Sequence, residues 1–334
     1  MTKTRKPVTL EDVALASGYS RATVSRVVNG RSSVDPEIAR AVQAAIRRTG
    51  YSVNTAARTL AGGASRNVGL VFAEGFRELF QNPYWGEIVE GLSAELAGHG
   101  YRETFLVRDQ QHRLDDYLAQ RTLDAVIIMS PEPGDGLEGR LLRLGIPTVV
   151  FGQPSRPLRT PSVMIDEEGS GAIAANHLLA QGRHHPVIIG GRPDMQVSQR
   201  RVNGFTDACT RAGIRLGPGR VADGDFTAAG GYRAMHALID AHDDVDAVFA
   251  CSDRMALGAL QALHEAARQV PAEVAVVGVD GTVLGEQSQP RLTSVGADLE
   301  GLGHELGTLT LEAIQGAKAR TARFDPALVR RESA

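Results

Sequence analysis

Little cysteine, no long apolar run and no recognisable catalytic signature mark this chain, and each shortage excludes something. Its 334 residues include only Cys209 and Cys251. Neither has metal-ligand or redox spacing, and each lies among apolar residues where a small buried thiol is the expected state. No apolar stretch approaches the roughly 18 residues needed to span a bilayer. The basic start, Met1 to Pro7, is not followed by the hydrophobic segment of a signal peptide. A cytoplasmic chain without a membrane partner is expected. Among nine histidines there is no HExxH, and there is no GxxxxGK[ST] loop and no GxSxG elbow. The glycines of GLGHELG (301–307) have the wrong spacing for a dinucleotide loop. No enzyme, metal or cofactor is expected, and His184-His185 before Pro186 reads as structural.

The net charge of −3 conceals a split. Residues 1–66 carry eleven Lys or Arg against four acids, a net of +7, which leaves −10 for the rest. A small basic head on an acidic body favours a polyanion for the head alone.

The head reads as three short helices. Thr9 is a cap with Asp12 three residues on, Leu10, Val13 and Ala14 share a face, and Gly18 stops the segment. Ser20 caps a second helix. At about 100° per residue Arg21, Ala22, Ser25, Arg26 and Asn29 fall within one arc, with Val24, Val27 and Val28 opposite. Asp35-Pro36 starts a third helix, with Ile38, Ala41, Val42, Ala45 and Ile46 as its buried stripe and Gly50 as its stop. Two helices joined by a glycine turn, the second opening on arginine, match a helix-turn-helix. Spacing alone favours DNA binding over a small domain with a solvated basic face.

Beyond Arg66, apolar runs at 67–72, 125–129, 146–151, 186–191, 247–252 and 274–280 alternate with amphipathic stretches. That alternation predicts parallel sheets with crossover helices.

The stretch VTLEDVALASGYSRATVSRVVNGRSSVDPEIARAVQAAIRRTGYSVNTAARTLAGGASRNVGLVF, from Val8 to Phe72, resembles the start of the LacI/GalR family of bacterial transcription regulators. The resemblance continues through NPYWGEIVEGL, HLLAQGRHHPVIIGG, RRVNGF, CSDRMALGALQAL, VAVVGVDG, PRLTSV and LVRRES, and so covers nearly the whole chain. It implies an α/β protein with an N-terminal all-α helix-turn-helix head (1–52) and a hinge helix and linker (53–66). The remainder, 67–334, is then a periplasmic-binding-protein-like effector-binding and dimerisation body. That body has two subdomains, the first holding 67 to about 165 and a return near 296 to 320.

The family pattern also implies the sites. Arg21, Ala22 and Arg26 would face base edges, while Thr9, Ser20, Thr23, Ser25 and Asn29 would lie near phosphates or support the helix. NTAARTLA (54–61) is too short to be a stable helix alone. The family places it in the minor groove of a pseudo-palindromic operator, Asn54 capping it, Leu60 as an apolar wedge and Ala57 beside it. Val53 stands where the family commonly has proline. In the body, Asp280 is implied to accept from two hydroxyls, Arg201 to donate to a hydroxyl or an anionic group, and Tyr84, Trp85 and Phe226 to stack on a ring. Asp166 and Ser252 complete the implied effector contacts. Ser252 replaces a frequent asparagine, and Ala297 and Leu299 stand where polar or aromatic contacts are common. The expected protein is a homodimeric repressor of carbohydrate-utilisation genes, bound to double-stranded DNA and answering to a sugar or sugar phosphate. The alternatives are a nucleoside or purine effector, or a sugar-binding or sugar-processing protein with a basic head.

Overall fold

The computed structural model describes residues 8–28, 34–51, 64–73, 75–107, 114, 117–118, 120, 122–129, 131–132, 134, 136–157 and 159–334. They form two compact units, Met1–Ser65 and Arg66–Ala334.

In the first unit, α1 (Leu10–Ser17) opens on a capping box. The Thr9 N–H donates to Asp12 Oδ2 at 2.8 Å and the Asp12 N–H to Thr9 Oγ1 at 3.3 Å. Gly18, at φ 77°, closes the helix by donating its N–H to the Ala14 carbonyl, a left-handed conformation that costs glycine little. At the start of α2 (Arg21–Val28) the Thr23 N–H donates to Ser20 Oγ at 3.2 Å. α3 (Pro36–Thr49) starts with the Glu37 N–H donating to Asp35 Oδ1 at 2.7 Å. Val13, Val24, Val42 and Ala45 are fully buried between the three helices, with Leu10, Val27, Val28, Ile38 and Ile46 packed around them. The valine side of α2 is thus inside and its arginine side faces outward.

The second unit has two lobes, each built on a six-stranded sheet. The first sheet contains β1 (Asn67–Phe72), β2 (Arg102–Val107), β3 (Ala125–Met129), β4 (Thr148–Phe151), β5 (Ser162–Ile165) and β11 (Thr321–Phe324). Its spatial order is β11-β5-β4-β3-β1-β2, parallel throughout. The second contains β6 (Pro186–Gly190), β7 (Val221–Asp223), β8 (Ala247–Ala250), β9 (Ala275–Asp280), β10 (Thr293–Gly296) and β12 (Ala327–Val329), in the order β12-β10-β9-β8-β6-β7. Only the β10–β12 pair is antiparallel. The central strands are buried throughout apart from the half-buried first residue of β1, which explains why they read as continuous apolar runs.

The chain crosses between lobes three times, after β5, after β10 and after β11. The return to the first lobe extends beyond the expected 320 to Phe324, and a last crossing brings β12 back onto β10. These late strands are short and half-exposed, so they carry no apolar run. Among the described residues no helix is long and apolar enough to cross a membrane.

Besides the short helices α4 (Phe76–Gln81), α6 (Leu137–Arg143) and α11 (Val283–Gln287), the helices cover the sheets in closely packed pairs: α5 (Pro83–Gly98) with α12 (Leu299–Ile314), α7 (Glu167–Ala180) with α8 (Gln196–Arg211), and α9 (Ala228–Ala241) with α10 (Asp253–Glu265). Each pair meets through reciprocal glycines. A methyl group on Gly171 would collide with the Arg201 carbonyl, and one on Gly204 with that of Glu168. Gly91 and Gly303 make the same approach to Glu300 and Ile88, and Gly231 and Gly258 to Met255 and Ala228. Backbone therefore touches backbone, and the helices cannot separate without opening voids. Gly204→Ala should lower the unfolding free energy of the second unit by about 1–3 kcal/mol. Gly98→Ala, in open space at the end of α5, should not lower it. Urea unfolding of the two variants checks this; equal midpoints would remove the close crossing as a constraint.

Candidate functional site

Both sheets have the doubly wound order in which the first strand lies between the second and third, so each has a switch point beside its first strand. The carboxyl ends of the strands from the two lobes border a cleft. The first lobe contributes Tyr84 and Trp85 from the start of α5, Phe151 at the end of β4, Gln153 after it, and Ile165 at the end of β5. The second contributes Glu167, Arg200 and Arg201 from α7 and α8, Phe226 after β7, Ser252 after β8 and Asp280 at the end of β9.

Tyr84 and Trp85 are held by aromatic packing. Trp85 meets Phe72 edge-on at 5.4 Å between ring centroids and Phe151 at 6.0 Å. Both are core residues and cleft residues at once. Phe226 takes the left-handed region at φ 62°, and its ring lies over Gly191, where any Cβ would strike it. Only glycine leaves room for the ring there.

At the base of the cleft stands Arg201, its side chain 5% exposed. Its Nε donates to Glu167 Oε2 at 2.6 Å, and its Nη1 to Asp280 Oδ1 at 3.3 Å and to the Cys251 carbonyl at 2.7 Å. Burial opposes its charge, but Glu167 and Asp280 together keep the guanidinium pKa above its ordinary value. Burial pushes the Asp280 carboxyl up to about 8, with Arg201 opposing and Asp253 and Glu167 adding to the rise. Asp280 also stands at φ 121°, which an L-residue rarely adopts. Behind it, the fully buried Asp253 accepts from the Thr282 N–H at 2.8 Å and Thr282 Oγ1 at 3.0 Å, and from Ser294 Oγ. That carboxylate ties the ends of β9 and β10 to α10, and its pKa too is raised by burial.

Of the expected cleft residues, Tyr84, Trp85, Arg201, Phe226, Ser252 and Asp280 converge, although Ser252 Oγ also accepts the Met255 N–H at 3.2 Å as the cap of α10. Asp166 does not join them. It is exposed and caps α7, accepting the Gly169 N–H at 3.0 Å, and the next residue, Glu167, points to the cleft instead. Ala297 and Leu299 border a smaller void beneath the cleft. Glu167, Arg200 and Gln153 escaped the sequence reading. The acidic pair after SVMID and the double arginine of QRRVNGF were visible, but only the helix crossing shows which member of each pair faces inward. The two histidines of the strand entrance donate their backbone N–H groups to Asp246 at 2.7 and 2.9 Å, a structural arrangement.

In the head, Arg21, Ala22 and Arg26 are exposed along one side of α2, and Thr23 and Ser25 are half-buried. Arg21 Nε pairs with Glu11 Oε1 at 2.9 Å, both ends well exposed, so water screens the pair and it holds Arg21 weakly. Thr9 and Ser20 act as helix caps. Asn29, Asn54, Ala57 and Leu60 lie outside the described residues.

A helix-turn-helix head in one chain with a two-lobed α/β body and a cleft between the lobes defines the class of ligand-responsive DNA-binding regulators. Two family models match the chain: bacterial regulatory proteins of the lacI family over residues 9–54, and the periplasmic binding protein-like domain over residues 175–334. The HTH-type transcriptional regulator CelR of Thermobifida fusca is 37% identical over 332 residues, 97% of this chain and 96% of that protein. The repressor PurR of Serratia proteamaculans is 30% identical over 97% of this chain and 96% of its own length. Among solved structures, a CelR–cellobiose complex superimposes with a TM-score of 0.78 at 35% identity, covering 98% of this chain and all of that one. A lac repressor dimer bound to operator and the anti-inducer ONPF gives 0.86 at 26% identity, covering 98% and 99%. The chain belongs to the lacI family of bacterial regulatory proteins.

The raised Asp280 pKa has a consequence for stability. The folded state holds the proton more tightly than an unfolded carboxyl of about 3.9 does. The resulting stabilisation is complete below pH 4 and is lost as pH rises through about 8. Asp280→Asn should therefore reduce the decline in stability between those limits. Urea unfolding at stepped pH measures it, and parallel curves for the variant and the parent would show that Asp280 does not hold that proton.

Proposed function

We propose that this regulator is a homodimeric repressor of carbohydrate-utilisation genes that acts by binding, without a catalytic step, in the cytoplasm. The observation that carries the effector class is the cleft itself. A buried, charge-paired polar base of Arg201, Glu167 and Asp280 lies beneath an aromatic frame of Tyr84, Trp85 and Phe226. Aromatic rings cover the apolar face of a saturated sugar ring while carboxylate and guanidinium groups take its hydroxyls in directed hydrogen bonds. The CelR structure of similar fold holds cellobiose, which supports the reading.

Because both lobes contribute walls, a ligand favours the lobe arrangement in which its contacts are complete, and it shifts the equilibrium only by that difference in affinity. In a dimer such a shift changes the spacing of the two head-bearing segments. Arg21 and Arg26 would read bases in a major groove, each able to give two hydrogen bonds to guanine, Ala22 would touch a thymine methyl, and Leu60 would wedge the operator centre.

Two measurements test this. Arg21→Ala should relax the preference at one base position of each half-site by about 1–3 kcal/mol in operators selected from random DNA; an unchanged preference removes Arg21 from the reading face. Cellobiose and other saccharides should raise the melting temperature of the whole chain, with about 2.7 kcal/mol gained at 100 times the dissociation constant. A panel in which nucleosides or purines stabilise the chain and saccharides do not would overturn the carbohydrate assignment.

A further inference from the structure

The two adjacent arginines of the cleft are in different electrostatic states. Arg201 is enclosed between two carboxylates. Arg200 is half-buried in the cleft wall, and among the described residues no carboxylate lies within 4.0 Å of its guanidinium. Its one hydrogen bond runs from Nη2 to the neutral Oε1 of Gln153, on the opposite lobe, at 3.3 Å. A guanidinium presents five donors in a planar fork, so one long bond to an amide leaves most of that capacity facing the cleft. Arg192 shows the contrast: its Nε and Nη2 grip Asp194 at 3.1 and 2.6 Å, and Nη2 also reaches Glu132 at 3.2 Å.

We propose that the effector is a sugar bearing an anionic group, a carboxylate or a phosphate, and that Arg200 is the residue that selects for that charge. This rests on the carbohydrate reading of the cleft and adds the charge to it. Among the described residues Glu167, Arg200, Arg201 and Asp280 are the carboxylates and guanidiniums that line the cleft, and both carboxylates lie on Arg201. Among the described residues Arg200 is the cation of that lining with no carboxylate beside it. Arg201 cannot supply the selectivity, because its charge is already met. A neutral sugar hydroxyl can accept from Arg200 but brings no countercharge, whereas a carboxylate or phosphate accepts two parallel N–H bonds from the fork. Because Gln153 already draws Arg200 towards the other lobe, an anion placed there is contacted from both lobes.

The test uses the whole chain and the fluorescence of Trp85, the only tryptophan, which lines the cleft. Matched pairs serve as probes: glucose against glucuronate and glucose 6-phosphate, galactose against galacturonate, and cellobiose against cellobiose 6-phosphate. At least one anionic member should bind tenfold or more tightly than its neutral parent, and the better of the uronate and phosphate arms identifies the anion. Arg200→Gln should remove most of that ratio, weakening the anionic member far more than its neutral parent. Neutral parents that bind as tightly as their anionic partners, or a ratio untouched by Arg200→Gln, would overturn the proposal while leaving the carbohydrate reading intact. If no saccharide changes the fluorescence or the melting temperature, the carbohydrate reading fails and the charge assignment fails with it.

Discussion

A guanidinium with almost no exposure to water cannot give up its proton, so the structure around Arg201 has to supply negative charge. It does so from three separate places in the chain: Glu167 just after the first crossing between lobes, the Cys251 carbonyl at the end of β8, and Asp280 at the end of β9. One side chain thereby holds the strand ends that border the cleft. Behind Asp280, the buried Asp253 accepts from Thr282 and fixes the loop that follows β9. Removing one partner from such a group typically costs about 3–5 kcal/mol, because the charge left behind stays buried. The polar base of the cleft is consequently rigid before any ligand arrives.

That rigidity depends on packing as much as on charge. Gly171 and Gly204 let α7 and α8 approach until backbone meets backbone, and the collision partner for a methyl on Gly171 is the carbonyl of Arg201 itself. The same crossing that seals the second lobe therefore fixes the position of the guanidinium relative to Glu167. Three chain crossings join the lobes, so the walls of the cleft can move relative to one another only as their hinges allow. Polar contacts that cross the mouth, Arg192 to Glu132 and Arg200 to Gln153, are few and partly exposed, and contribute on the order of 1 kcal/mol at most. A ligand bridging the same gap has the larger influence on closure.

Much of this was legible without coordinates. The valine stripe of α2, the caps at Thr9, Ser20 and Asp35, and six buried strands follow from local rules: periodicity, capping chemistry and continuous apolar runs. The site was legible in part. Arg201 and Asp280 were found, yet they are 79 residues apart, and nothing local says that they touch. Asp166 and Glu167 are adjacent acids at a helix start, where a cap and a cleft ligand look alike in sequence. The late strands β11 and β12 were missed because half-exposed edge strands of three or four residues carry too few apolar positions to register.

The sequence by itself determined which segments form helices and buried strands, that a basic head precedes an acidic body, and which face of α2 is left exposed. These properties depend on neighbours within a few residues. Which carboxylate meets which arginine was decided only by the tertiary structure. Whether a charge in the cleft is satisfied depends on helix crossings and strand ends brought together across long stretches of chain, so Arg201 is neutralised while Arg200, one residue earlier, is left facing the cleft.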